Sequence, residues 1–392
     1  MTPAARTQAA IELLDAIIAA AREGGAAADT LIARYFGTRR YAGSKDRRAV
    51  RELIYAAIRA AGERPASGRA AVLGLRDAAI ETTFDGSTHG PAPIAEDEPR
   101  AAAGVAPSWL EAMLVSSGLP GRDHAALVGR APLDGRVNRL KTDRDAVLAM
   151  LPEAEPTPHA PDGIRLPSGT HVEALPAFRD GLIEVQDEGS QIVGLALPAE
   201  PGSRIVDLCA GAGGKSLALA ARLGGKGSLL ACDTDRGRLS RLPARAERAG
   251  TSVETRLLDP YRELEALREW RGSADGVLID APCSGTGTWR RNPEARWRLT
   301  PDRLHRLAET QRHVLNVGAA LVRPGGCLVY IVCSLLDDEG ADQVTWFRDA
   351  HPGWTVETPG LPAGRVHGAG WRLNPASDGT DGFFVARLVA PC

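Results

Sequence analysis

The sequence is short of cysteine, of net charge and of long apolar runs, and each shortage removes a class of protein. Its six cysteines, Cys209, Cys232, Cys283, Cys327, Cys333 and Cys392, form no CxxC pair. That spacing offers neither a zinc site nor a disulfide framework, and no metal is expected. Formal net charge is -2 over 392 residues. The chain as a whole is no polycation, so a nucleic-acid partner would have to be met by local basic patches. No apolar run approaches the roughly 20 residues that span a bilayer. The opening stretch carries Glu12 and Asp15 inside its apolar residues, which suits an amphipathic helix better than a signal peptide. A cytoplasmic protein without a membrane partner is expected. There is no internal repeat, and no heptad or large apolar patch that would call for a second copy, so a monomer is expected.

The length allows two or three domains. Residues 1–80 read as helical, because Ile11, Leu14 and Ile18, and later Leu53, Ile54, Ala57 and Ile58, recur at helical spacing. They hold 13 basic against 8 acidic side chains. Between the two apolar runs, Arg34, Arg39, Arg40, Lys45, Arg47, Arg48 and Arg51 surround Tyr35, Phe36 and Tyr41. That mixture suits either RNA contact or a solvated helix face with its aromatics in a core. Residues 81–104, rich in Gly, Pro, Ser and acid, read as a linker. Residues 105–200 read as a small α+β module, with a helix at PSWLEAMLVSSGL and a strand at VNRLK, Val137 to Lys141.

From residue 201 strands and helices alternate. SRIVDLCA, GSLLACD, SVETRLLD, DGVLIDAP and GGCLVYIVCS are strands with helices between them, and WTVETP and GFFVARLV form a closing antiparallel pair. The expected fold is a doubly wound α/β sheet over residues 201–392. Such sheets bind ligands at the carboxyl ends of their strands. Three acids, Asp233, Asp259 and Asp280, fall at successive strand ends, beside the Gly-rich turn Cys209, Ala210, Gly211, Ala212, Gly213, Gly214 and Lys215. The turn fits neither GxGxxG nor the Walker A pattern. An acid after the second strand suits ribose hydroxyls. Glycines let a ligand approach the backbone, and a helix N-terminus with Lys215 favours a carboxylate. A ribose, an adenine and an amino acid together describe S-adenosyl-L-methionine.

The stretch DGVLIDAPCSGTGTWRRNPEARW, Asp275 to Trp297, organises the rest. It runs as a buried strand into a loop carrying Asp280 and Cys283, then a basic, aromatic tail. Cys283 and Cys333 follow the fourth and fifth strands, which are neighbours in the usual order of such a sheet. Two thiols beside a methyl donor suit methylation of carbon 5 of cytosine. That carbon is a poor nucleophile until a thiolate adds at carbon 6. Afterwards a base must remove the carbon 5 proton, and a second thiol can serve. Asp280 can hydrogen-bond or protonate the ring nitrogen. The base must leave its stack, so flipped or single-stranded RNA is expected. Arg290, Arg291 and Arg296, with Trp289 and Trp297, would hold phosphates and stack on bases.

These motifs carry a resemblance. DAPCSGTGTWRRNP, CAGAGGKS, VCSLLDDEG and DGFFVARL, preceded in order by PSWL, VNRLK and ALPAFRDGLIEVQDEGSQ, resemble the RsmB/Nop family of RNA cytosine-5 methyltransferases over about residues 105–392. The resemblance implies a class I methyltransferase, Rossmann-like fold for residues 201–392. It implies an RNA-recognition-like module at 105–200 and a shortened NusB-like helical domain at 1–80. It assigns the nucleophile to Cys333 and product release to Cys283. Donor contacts go to the turn from Cys209 to Lys215 and to Asp233, Asp259 and Asp280. By analogy with DNA cytosine-5 enzymes, whose nucleophile is a Pro-Cys thiol, Cys283 would attack instead. The implied substrate is 16S ribosomal RNA, with tRNA as the alternative and a non-catalytic RNA-binding assembly factor as a third reading. The family's turn usually reads CAAPGGKT, and a Thr usually precedes the nucleophile. Here Gly211, Ala212, Ser216 and Val332 depart from that pattern. Losing the proline frees the turn, and losing the Thr hydroxyl would alter how the thiolate is held.

Overall fold

The computed structural model describes all 392 residues. Its contacts divide the chain into two units, Met1–Arg130 with Thr288–Pro301, and Ala131–Gly287 with Asp302–Cys392.

The first unit is helical. Helices Pro3–Glu23, Ala28–Gly37, Ser44–Ala60 and Gly68–Leu73 pack Leu14, Ile17, Ile32, Phe36, Ile54 and Ile58 into one core. The first helix starts where Thr2 accepts the Ala5 N–H and ends on Gly24 in the left-handed conformation, the usual stop and start chemistry. Residues 84–104 have no helix, and they follow the helices closely. Phe84 enters the core, Ala101 N–H donates to Ala70 O, and Gly104 N–H donates to Ala60 O. Helices Ser108–Ser116 and Gly121–Leu127 complete the unit.

The inserted Thr288–Pro301 segment corrects one expectation. Trp289, Arg296 and Trp297 are buried, at 0%, 0% and 3% exposure, so they present no face to a base. Arg296 instead donates from Nη2 to Ile58 O (2.6 Å) and Ala61 O (2.8 Å), and Trp297 Nε1 donates to Ala61 O (3.3 Å). Arg298 donates to Gly25 O and Ala26 O, and Glu294 accepts the Ala28 N–H. These charges close the unpaired carbonyls and amides at helix ends. In the basic segment Phe36 is core and Tyr35 lies under Arg39, 3.6 Å from its guanidinium, while Tyr41 is exposed.

The second unit holds two sheets. The small one consists of β1 Leu133–Val137, β2 Glu155–Pro156, β3 Gly163–Leu166 and β4 Ile183–Val185, in the antiparallel order β2-β3-β1-β4. The strand expected over Val137 to Lys141 lies four residues earlier. Asn138 ends it by donating to Gly181 O and Ala249 O and accepting the Leu140 N–H, a side-chain turn that competes with the ladder.

The large sheet consists of β5 Arg204–Asp207, β6 Ser228–Asp233, β7 Glu254–Leu257, β8 Ala274–Asp280, β9 Val322–Val332, β10 Thr355–Glu357, β11 Arg365–His367, β12 Gly370–Leu373 and β13 Phe383–Val389. Strands β7-β6-β5-β8-β9 run parallel, β13 joins β9 antiparallel, and β10 pairs with β13. This is the class I methyltransferase, Rossmann-like fold. Val277, Leu278, Ile279, Val329 and Ile331 are fully buried, as strands covered on both faces require. Each such side chain contributes roughly 1.5–3 kcal/mol. The reversal from β5 to β8 opens a crevice at the carboxyl edge, where such sheets bind ligands. The β11–β12 hairpin was not read from sequence, and the helix expected between GSLLACD and SVETRLLD is two, Arg236–Leu239 and Leu242–Ala249, parted near Pro243.

Candidate active site

Adjacent parallel strands β8 and β9 end side by side, so the residues after them meet. Cys283 Sγ lies 3.3 Å from Cys333 Sγ, although 50 residues separate them. The pair is half-buried. The hydrogen bond with Cys333, and then burial, push the Cys283 thiol well above its ordinary pKa. Cys283 therefore keeps its proton and can donate it toward Cys333.

A buried carboxylate holds the two thiol loops together. Glu339 is 0% exposed. Its Oε1 accepts the Ser284 N–H (2.8 Å) and Gln311 Nε2 (3.1 Å), and its Oε2 accepts the Ser334 hydroxyl (2.6 Å) and the Ser284 hydroxyl. Burial raises its pKa against the pull of these bonds. Thr286 adds a bridge by accepting the Leu335 N–H. Gly287 N–H donates to Cys333 O (3.0 Å), and a side chain at 287 would meet Gly382 O at 2.0 Å, so only glycine fits there. Glu339, Ser284 and Gln311 were missed from sequence. The one signal was the acid run Asp337-Asp338-Glu339 after a strand end.

The Gly-rich turn joins β5 to the helix Gly214–Leu223. Gly213 has φ +88°, and a Cβ there would strike Leu242 Cδ1 at 2.1 Å. Asp233 ends β6 and shapes the turn, its Oδ2 accepting the Gly211 N–H and its Oδ1 the Asp235 N–H, both at 2.7 Å. Asp280, at the end of β8, accepts from Lys215 Nζ at 2.7 Å. Burial draws the Lys215 pKa down, but the Asp280 charge outweighs it and the net shift is upward. Ser216 donates to Asp207 at 2.6 Å. Asp207 is fully buried, and desolvation pushes its pKa up to about 7.

A cavity of about 150 Å³ has Gln186, Ser190, Cys209, Ala210, Ala212, Gly214, Lys215, Arg238, Asp207 and Asp280 on its walls. Asp233 stands behind the turn, and Asp259 is exposed just past β7, outside the lining. Val332 packs into the core on one side of the sheet, with Leu328 and Tyr330, whereas Ile331 and Cys333 lie on the other. A hydroxyl at 332 would therefore face away from the Cys333 sulfur, on the side where Cys283 packs. The residues fit S-adenosyl-L-methionine. The helix N-terminus and Lys215 suit its carboxylate, acids at two strand ends suit its hydroxyls and amine, and the glycine path leaves room at the backbone.

Comparison with known proteins agrees with this geometry. The model of the 16S rRNA methyltransferase RsmB/F family matches residues 194–389. The proteins named ribosomal RNA small subunit methyltransferase B of Enterobacter sp. (strain 638) and of Klebsiella pneumoniae subsp. pneumoniae are each 36% identical over 266 residues, covering 66% of this chain. The chain spans 60% of the length of these curated relatives. Among solved structures, that of PH0851 superposes with a TM-score of 0.79 at 25% identity, covering 99% of both chains. A methyltransferase homologue from Pyrococcus horikoshii gives 0.60 at 26%, covering 73% of this chain and 99% of its own. The chain belongs to the RsmB/F family of 16S rRNA methyltransferases, and S-adenosyl-L-methionine is the cofactor its pocket fits.

Proposed function

We propose that this chain methylates carbon 5 of a cytosine in RNA, the RNA being 16S ribosomal RNA. The observation that carries the reading is the pair of thiols at 3.3 Å on adjacent strand ends, beside the cavity walled by Lys215 and Asp280. A small-molecule methyltransferase has no use for two facing thiols. When bound, the donor supplies an electrophilic methyl group.

Cys333 is the nucleophile in this reading. Its thiolate adds to carbon 6 of a flipped cytosine, forming a C–S bond and enriching carbon 5. Asp280, fixed by Lys215, accepts from the exocyclic amine of the ring and orients the base for attack. Cys283 holds its proton while a neighbouring thiolate opposes its ionisation. Once Cys333 is a thioether that opposition is gone, and Cys283 releases its proton to solvent water to form a thiolate. It takes the proton from the methylated carbon 5, the ring electrons return, and the C6–S bond breaks to release Cys333 as thiolate. Burial, which persists when Cys333 is a thioether, keeps Cys283 a good base for that step.

The test is a covalent adduct on a denaturing gel. Full-length wild type, Cys333→Ser and Cys283→Ser are mixed with S-adenosyl-L-methionine and bacterial small-subunit RNA. An RNA-linked band should accumulate in Cys283→Ser and be absent in Cys333→Ser. Accumulation in Cys333→Ser would exchange the two roles. Absence of any band, with no methyl transfer by wild type to ribosomal RNA or tRNA, would sink the enzymatic reading and leave an RNA-binding assembly factor.

A further inference from the structure

Strand alternation gives the small sheet two faces. Val137, Ile164, Leu166 and Ile183 fill the module's own core. Asp134, Arg136, Arg165 and Glu184 sit at the alternate positions, on the opposite face. The charges on that second face are matched almost completely. Asp134 takes Arg165 at 2.8 Å, and Glu188 lies 3.6 Å from the same guanidinium. Glu184, the cross-strand partner of Arg136, is taken by Arg245 (2.9 Å) and Arg248. One cation is left over. Arg136 is 7% exposed, and its Nε has no hydrogen-bond partner. A guanidinium desolvated to that degree is strongly unfavourable unless an anion reaches it.

Its side chain lines an open cleft of about 40 Å³, more than the ~10–15 Å³ that admits one water. Arg139 and Arg222 line the same cleft, against one carboxylate, Asp162. Asp162 lies 3.6 Å from Arg139 and its charge also acts on Arg136, so one carboxylate is set against three guanidiniums. Arg222 spends one nitrogen on Gly194 O and keeps further donors for a ligand. Gln191 fixes the wall by donating to Gly135 O and Gln186 O.

We propose that this cleft is a phosphate-binding site, with Arg136 donating to an oxyanion from within and Arg139 and Arg222 closing on it from the rim. Planar guanidinium forks match the geometry of phosphate oxygens. Arg222 shares its helix with Lys215, about 10 Å away along the axis, so one RNA strand can engage the cleft and the donor pocket together. The occupant is a phosphodiester of the RNA backbone or free inorganic phosphate. The site stands on its own geometry, and only the RNA source rests on the methyl-transfer reading.

The full chain is titrated with inorganic phosphate against chloride of equal ionic strength. Two readouts are taken, the NMR resonance of the Arg136 Nε–H and the unfolding temperature. The expected result is a saturable shift of that resonance and a rise in unfolding temperature. Arg136→Met should lose the phosphate-dependent rise altogether. Arg139→Gln, a rim change that leaves the buried group intact, should weaken phosphate about threefold. An RNA arm then separates the sources. If the backbone is the ligand, Arg136→Met binds RNA about tenfold more weakly, with a salt slope lower by about one. If phosphate binds while RNA affinity and slope are unchanged, the site holds and its occupant is free phosphate. An unmoved Arg136 resonance, with wild type and Arg136→Met responding alike, would overturn the proposal. Cys333→Ser leaves the phosphate shift in place, so failure of the methyl-transfer reading is seen separately.

Discussion

The two halves of the candidate active site are held by different means. The donor turn, Cys209 to Lys215, is held at its own main-chain groups. Asp233 gathers the Gly211 and Asp235 amides, and Arg245 donates to Ala212 O. The thiol loops are held by side chains, through one buried carboxylate that binds Ser284, Ser334 and Gln311. A main-chain turn is a local structure, and it tolerates side-chain change wherever backbone geometry is kept. A buried polar network is cooperative, and it fails as a unit when one member is removed. The thiol geometry should therefore be the fragile half and the donor turn the tolerant one.

Glu339 is where that contrast is tested hardest. Glu339→Ala strands the Ser284 N–H in a dry site and takes an acceptor from the Gln311 amide and two hydroxyls. Unfolding free energy should fall by roughly 3–5 kcal/mol, measured by urea denaturation. Methyl transfer should fall at least a hundredfold, because the sulfurs lose their shared anchor. Glu339→Gln keeps one acceptor and the side-chain volume, and should recover most of the stability. Donor affinity, measured by calorimetry, should stay within about twofold in both variants. A matching loss of donor affinity would show that the two halves are one structure and would end the contrast.

In the donor half, Asp207 is a fully buried acid. Its folded pKa is raised to about 7, from 3.8, by burial. The sign follows from proton binding. Between those values the folded state holds a proton that the unfolded chain has released. The stabilisation is thus fully present below about pH 4 and is lost as pH rises to about 7. Over pH 5 to 8 wild type should lose about 2–3 kcal/mol relative to Asp207→Asn. Asparagine keeps an acceptor for Ser216 and carries no charge, so its urea midpoint should lack that slope. Parallel midpoints in the two proteins would mean that Asp207 titrates with a neighbour instead of alone.

What the sequence shows of this site divides along the same line. The parallel sheet was legible because its central strands, buried on both faces, read as apolar runs. The thiols were legible because the usual strand order makes β8 and β9 neighbours. Their support was not. Glu339 sits among Asp337 and Asp338, and nothing in local composition tells the one buried acid from its neighbours. Only closure of segments 55 residues apart gives it partners at Ser284. Trp289, Arg296 and Trp297 failed for a related reason. A basic, aromatic run after a thiol loop reads as a nucleic-acid surface, yet here it seals helix ends in the first unit. Composition reports which groups are present, and burial decides whether they meet solvent, RNA or backbone.

The smallest effect expected is also the sharpest test of the tolerant half. Ala212 stands where the family's turn has proline. Its N–H donates no hydrogen bond, and its carbonyl is held by Arg245 at 2.6 Å. Ala212→Pro therefore removes no bond. It narrows the unfolded chain's freedom at a position that follows Gly211 in the left-handed region, φ +56°. Stability should rise by about 0.4–1 kcal/mol, with donor affinity unchanged or slightly improved, read by denaturation and calorimetry on the same preparation. A main-chain turn accepts such a change because proline acts on the same dihedral angles that already define it. A fall in stability would mean that φ at 212 lies outside the range proline permits, and that the Ala departure set a turn geometry of its own.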